Sequence, residues 1–191
     1  MTRLGRILNT IGFLAAGACL ILPFLHFGQG SEQGRYDISW NGWDLVVGGT
    51  PEVDFEQLMW SETAQAYELQ EMPPEVLLMW VGDEQTFQVS GSAVLNLAVV
   101  LISAGALAAF LATPRSQRIL ALCAGLGAAA TLAFGLWQAA ANMHQKWPTA
   151  PLRLGYGAWL TGGLVLLLAA LNVAAAIRAR PAASAPADST T

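Results

Sequence analysis

Charge is scarce in this sequence. Of its 191 residues 12 % are Asp, Glu, Lys or Arg, about half the share in an ordinary soluble domain. Cysteine is scarce too. Cys19 and Cys123 lie at depths along their apolar runs that differ by roughly 12 Å at 1.5 Å per residue, whereas a disulfide needs α-carbons within about 7 Å. Both therefore read as buried small apolar side chains, and no external staple holds the chain. Ionisable residues are missing from the interior of every long apolar run, where the polar exceptions are Asn9, Asn96, Gln138, Asn172 and scattered Ser and Thr. Proton relays, ion-coupled transporters and intramembrane proteases need ionisable groups at depth, so those classes are disfavoured.

Recognisable reaction chemistry is missing as well. There is no GxSxG nucleophile turn, no GxxxxGK phosphate loop and no CxxC. His26 and His144 fall in no HxxxH or HExxH spacing, and Glu52, Asp54 and Glu56 lack the glycine and twelfth-position Glu of a calcium loop. No catalytic, cofactor or metal-ligand set follows, and a non-enzymatic role is expected. The basic residues near the chain ends sit in pairs and form no continuous surface, so a nucleic-acid partner is not expected.

What the sequence does have is apolar length. Residues 7–27, 93–112, 119–141 and 154–177 are uncharged runs, and roughly 20 residues of helix cross a hydrocarbon core. The expected fold is an all-α membrane protein: a single integral domain, a four-transmembrane-helix up-down bundle with a small extracytoplasmic α+β cap. The first run continues apolar past Cys19, which argues for a retained helix over a cleaved signal peptide. Small residues at four-residue spacing, such as Gly12 and Ala16 or Gly105 and Ala109, allow close helix approach.

Orientation follows from the arginines. Arg3, Arg6, Arg115, Arg118, Arg178 and Arg180 flank one set of helix ends and Arg35, Lys146 and Arg153 the other, so both termini face the cytoplasm by the positive-inside rule. Twelve of the thirteen acidic residues fall between Glu32 and Glu84. The outer side then has three basic against twelve acidic residues, nine net negative charges. Every Trp and Tyr also lies in the outer loops or near the outer helix ends. The tail 178–191, rich in Pro, Ala and Ser, reads as disordered and cytoplasmic.

The informative segment is the outer loop 28–86. DISWNGWDLVVGG at 37–49 allows two readings. In the favoured one, Asn41-Gly42 closes a two-residue hairpin that pairs Trp40 with Trp43. In its rival, Asn41 caps a short helix and Asp44 completes a capping box. Pro51 and Pro73-Pro74 read as helix starts. A disulfide-free loop of this size must bury its apolar face on the outer helix ends, with Leu58, Met59, Leu78 and Met79 among the buried set. The residues expected to anchor that cap or form an interface are Tyr36, Trp40, Trp43, Trp60, Trp80, Trp137 and Trp159.

Two resemblances add to this reading. The helix layout, with a large first outer loop carrying tryptophans beside a glycine in WNGW at 40–43, resembles the claudins, although the cysteine pair that follows the claudin signature is absent. Residues 89–141, with VSGS at 89–92, Arg115 and Arg118 in the turn and GLGAAA at 125–130, resemble small bacterial tryptophan-associated membrane proteins. The second resemblance, with the alanine-rich composition, implies a bacterial cytoplasmic membrane. The expected partners are the lipid bilayer and either a membrane protein or a second copy of the chain in a homo-oligomer. The expected role is accessory or structural, and the alternative is a sensor or carrier that binds a lipid or small molecule between the outer helix ends and the cap.

Overall fold

The computed structural model describes residues 3–31, 34–73, 76, 88–111, 114–146 and 151–178. In chain order the elements are α1 (Arg3–Ala18), a 3-10 turn (Cys19–Ile21), β1 (Pro23–Ser31), β2 (Gly34–Asn41), α2 (Gly42–Val47), β3 (Gly48–Gly49), β4 (Glu52–Ser61) and β5 (Ala66–Met72). They continue with β6 (Val89–Ser90), α3 (Ala93–Leu111), α4 (Pro114–Lys146), β7 (Leu152–Leu154) and α5 (Tyr156–Arg178).

The fold is mixed, which corrects the expectation of an all-α four-transmembrane-helix bundle. Strands β5-β4-β2-β1-β7 form one five-stranded antiparallel sheet, and β3 pairs with β6 in a second, two-stranded one. Among the described residues two helices are long and apolar enough to cross a membrane, 119–146 and 156–178, while the apolar helices 5–21 and 93–108 are shorter.

The cause of the first shortening is local. Proline lacks an N–H and disfavours helical backbone in the residue before it. Leu22 is accordingly extended, with φ −84° and ψ 158°, and its N–H closes the 3-10 turn onto Cys19 O. The run 7–27 is thus a helix to Ala18 and a strand from Pro23.

The helix starts expected at Pro51 is corrected as well, because Glu52–Ser61 is strand β4. Val53 and Phe55 pack against the core, while Glu52 and Asp54 between them are exposed. That is the period-2 signature of a half-buried strand. Pro74, Leu78, Met79 and Trp80, and the tail beyond Arg178, lie outside the described residues.

The four long helices pack in a closed ring, α1 on α3, α3 on α4, α4 on α5 and α5 on α1. Their lower core is built from Phe13, Ile102, Val165 and Leu168 with alanines between them. Here glycine sets the spacing. A Cβ on Gly105 would stand 2.6 Å from the Phe13 ring, and one on Gly12 2.6 Å from Leu168. Asn9 and Asn172 exchange two amide hydrogen bonds of 3.0 Å between α1 and α5, which satisfies both buried side chains. Both cysteines are free, and Cys123 is exposed and Cys19 half-buried, so neither is the fully buried side chain expected.

The upper core joins the helices to the sheet. Phe27, Ile38 and Trp40 come down from β1 and β2 onto Leu95, Leu132, Leu136 and Met143 of α3 and α4. The three-residue strand β7 between α4 and α5 completes the sheet on β1. Strand β7 thereby ties α5 to the sheet from the opposite edge.

Candidate functional site

The stretch DISWNGWDLVVGG is a joint. The hairpin reading is corrected: β2 ends at Asn41, and Asn41 caps α2. Its Oδ1 accepts from Asp44 N at 2.9 Å, and its own N–H donates to Asp44 Oδ2 at 3.3 Å. These bonds satisfy donors that a helix start leaves open. Gly42 follows because nothing larger fits, since a Cβ there would stand 2.9 Å from Leu20 O and from the Phe24 ring. At the far end, Gly48 adopts φ 86° and donates to Asp44 O. Next, α3 begins by docking on α2. Ser92 N donates to Leu45 O at 3.0 Å, and Asn96 Nδ2 donates to Val46 O at 2.9 Å.

The expected anchoring residues separate into three groups. Trp40 is fully buried in the upper core. Tyr36 is half-buried on the same face, 5.6 Å from the Phe27 ring centre, and burial raises the pKa of its phenol. Trp43, Trp60, Trp137 and Trp159 are 48 %, 54 %, 64 % and 69 % exposed; Trp43 stands on α2 and not on a strand opposite Trp40, whose ladder partner is Leu25 of β1. Trp80 lies outside the described residues. Trp60 instead stacks edge-on against Tyr67, 5.3 Å away across β4 and β5.

The outer face of the sheet is charged. Arg35 faces Glu56, Glu56 faces Glu71, and Asp37 faces Asp54, with His26 Nδ1 3.7 Å from Asp37 Oδ1. A depression of about 390 Å³ lies near Gly28, bordered by His26, Arg35, Asp37 and Arg153. Toward the tip of the β4–β5 hairpin the same face becomes apolar, with Trp60, Tyr67 and Leu69 all more than half exposed.

A cavity of about 500 Å³ lies where the start of α3 and the end of α4 meet α2 and β6. Leu45, Ala139 and Met143 form its buried floor. Ser90, Ser92, Gln138, Asn142, Gln145 and Lys146 supply its polar wall, and no carboxylate is present among the described residues that line it. The alternative expectation of a ligand site between the outer helix ends and the cap named none of the residues that line this groove. Its one traceable signal is NMHQK at 142–146, a polar end to an otherwise apolar helix.

Among the described residues no group of three His, Cys, Asp or Glu converges as a metal site requires. No family model matches the chain, and no curated protein matches it.

Proposed function

We propose that α4 and α5 cross a membrane with α1 and α3 packed against them, and that the sheet stands outside it as a non-enzymatic platform for a protein partner. The observation that carries the membrane placement is the outward face of the helices. Ile11 and Leu14 on α1, Val100 on α3, Phe134 on α4 and Leu166 and Leu167 on α5 are all more than half exposed, whereas a helix facing water keeps a polar side. Continuous apolar surface of that extent belongs against lipid or protein.

The lengths agree with this placement. The 23 residues of α5 measure about 35 Å at 1.5 Å each. The arginine distribution favours cytoplasmic termini, and the composition favours a bacterial inner membrane.

The partner surface is the β4–β5 hairpin. Strand β5 is an edge of the sheet, with its outer backbone groups unpaired among the described residues, and Trp60, Tyr67 and Leu69 stand beside it. An exposed edge flanked by aromatic anchors suits an added strand. The nine net negative charges of the outer side select a basic partner. A photo-crosslinking residue placed at Tyr67 should give one discrete adduct with another polypeptide in native membranes. An adduct with a second copy of the chain would move the role to self-assembly, and no adduct from positions 60, 67 or 69 would refute the platform.

The cavity between the helix ends and α2 favours a second reading, a carrier or sensor of a lipid or small molecule. Its volume falls in the range of ligand pockets, about 300 to 1,000 Å³. Native mass spectrometry of the purified protein separates the two: a stoichiometric copurifying small molecule supports the carrier, and a second polypeptide supports the platform.

A further inference from the structure

The cavity at the outer ends of α3 and α4 combines three features. First, its charge is opposite to its surroundings. Lys146 is the one lysine in the sequence, and it lines a cavity without a described carboxylate on a side that carries twelve acidic residues against three basic ones. Secondly, its wall is rich in neutral donors. The amides of Gln138, Asn142 and Gln145 and the hydroxyls of Ser90 and Ser92 line it, and such groups bond oxyanions and hydroxyls alike.

The third feature is an apolar track leading away from it. On α3, Leu97 is three residues beyond Val94, a lining residue, and on α4 Phe134 is four residues before Gln138, another. Residues three or four apart share a helix face. Leu97 and Phe134 are 48 % and 54 % exposed, and Trp137 stacks on Phe134 at 5.6 Å. The polar cavity thus opens onto an exposed apolar strip running along the helices toward their middle.

We infer that this cavity binds the headgroup of an anionic phospholipid, with Lys146 on the phosphate, the amides on headgroup hydroxyls, and an acyl chain along Leu97 and Phe134. It gives a ligand class to the carrier reading, and it rests on the helices lying in a membrane. A free phosphate would use the cavity but not the strip, and a neutral lipid would use the strip but not Lys146. Phosphatidylglycerol uses both.

The single lysine makes the test direct, because 15N-lysine labelling gives one side-chain ammonium signal. The protein is held in a neutral detergent and titrated separately with phosphatidylglycerol, phosphatidylcholine, sn-glycerol 3-phosphate and inorganic phosphate. Phosphatidylglycerol should shift the Lys146 signal saturably at the lowest concentration. In mixed phosphatidylglycerol and phosphatidylcholine nanodiscs, Lys146→Gln should lower retained phosphatidylglycerol about fivefold, the effect of one cation at an anionic lipid surface. Arg153→Gln, an outer cation away from the cavity, should leave retention unchanged, and Lys146→Arg should restore most of it.

Phe134→Ser should weaken the lipid and leave the response to glycerol 3-phosphate alone. Equal responses to phosphatidylglycerol and inorganic phosphate would overturn the lipid assignment in favour of a free anion. Equal retention of both lipids, or an unmoved Lys146 signal in all four titrations, would overturn the site. Failure of the membrane placement itself shows separately, as rapid labelling of cysteines placed on the outward helix faces.

Discussion

Trp40 offers the sharpest test of how the sheet is held to the helices. Its side chain is fully buried among residues from β1, α2, α3, α4 and α5. A large aromatic side chain buries about 150 to 250 Å², which at about 25 cal/mol per Å² is worth roughly 4 to 6 kcal/mol. Measured truncations of buried Phe and Trp to Ala cost about 3 to 5 kcal/mol. Trp43, two positions beyond the start of the cap, is 48 % exposed, so Trp43→Ala removes about half that burial from a site that can relax into solvent or lipid.

Trp40→Ala should therefore detach the sheet at equilibrium while the helices stay packed, because their lower core around Phe13 and Val165 is a separate cluster. At about 1.4 kcal/mol per factor of ten, a loss of 3 kcal/mol raises the detached population about a hundredfold. Limited proteolysis in neutral detergent, read at the exposed Glu62–Gln65 turn between β4 and β5, measures that population directly. Cleavage should accelerate strongly in Trp40→Ala and weakly in Trp43→Ala. Equal rates in the two variants, or unchanged cleavage in Trp40→Ala, would refute the account of Trp40 as the fastening.

Asn41→Ala removes the capping box of α2 and should cost about 1 kcal/mol, read as a lower melting temperature with unchanged helix content. Asn172→Leu strands the Asn9 amide in the helix core and should cost about 1 to 3 kcal/mol, whereas the double variant Asn9→Leu/Asn172→Leu should recover most of that loss, which a double-mutant cycle would show. Burial raises the Tyr36 pKa above its unfolded value, so the unfolded chain loses its phenolic proton first. Stability is then full below about pH 10 and falls as pH rises toward the folded pKa. Tyr36→Phe should flatten that alkaline decline in thermal melts taken across the window.

The parts of the fold that follow from composition were legible in the sequence. The apolar run Ile119–Ala141 lies within α4, the run Leu154–Ile177 forms α5 from Tyr156 onward after Leu154 has ended β7, and the alternation Tyr36, Ile38, Trp40 lies within β2. What escaped was decided by single residues against the trend of their neighbours. Pro23 turns the end of an apolar run into a strand, although LILPFLHF is as hydrophobic as the helix before it. Asn41-Gly42 suits a hairpin turn and a helix cap equally, and tertiary contact decides: Gly42 N donates to Leu22 O at 3.3 Å, which draws the chain down onto β1. In EVDFEQLMW the acidic residues at alternate positions already marked a strand, but the preceding proline read as a helix start.

The residues that line the cavity escaped for a different reason. Its walls come from residues 45, 88–94 and 138–146, three segments far apart in sequence, each unremarkable alone. The apolar patch at Trp60, Tyr67 and Leu69 escaped in the same way, because it exists only once Trp60 pairs with Tyr67 and Leu58 with Leu69 across the β4–β5 ladder.

Placement of the helices in lipid with the sheet outside is tested most directly by cysteine accessibility in a chain whose Cys19 and Cys123 are replaced by alanine. Three variants suffice, Thr63→Cys in the β4–β5 turn, Ser116→Cys at the start of α4 and Leu166→Cys on the outward face of α5. In intact cells a membrane-impermeant maleimide should label Thr63→Cys alone. Ser116→Cys should react only after the cells are opened, and Leu166→Cys only after the membrane is dissolved and the protein denatured. Rapid labelling of Leu166→Cys in intact membranes, or labelling of Ser116→Cys from outside, would contradict the account.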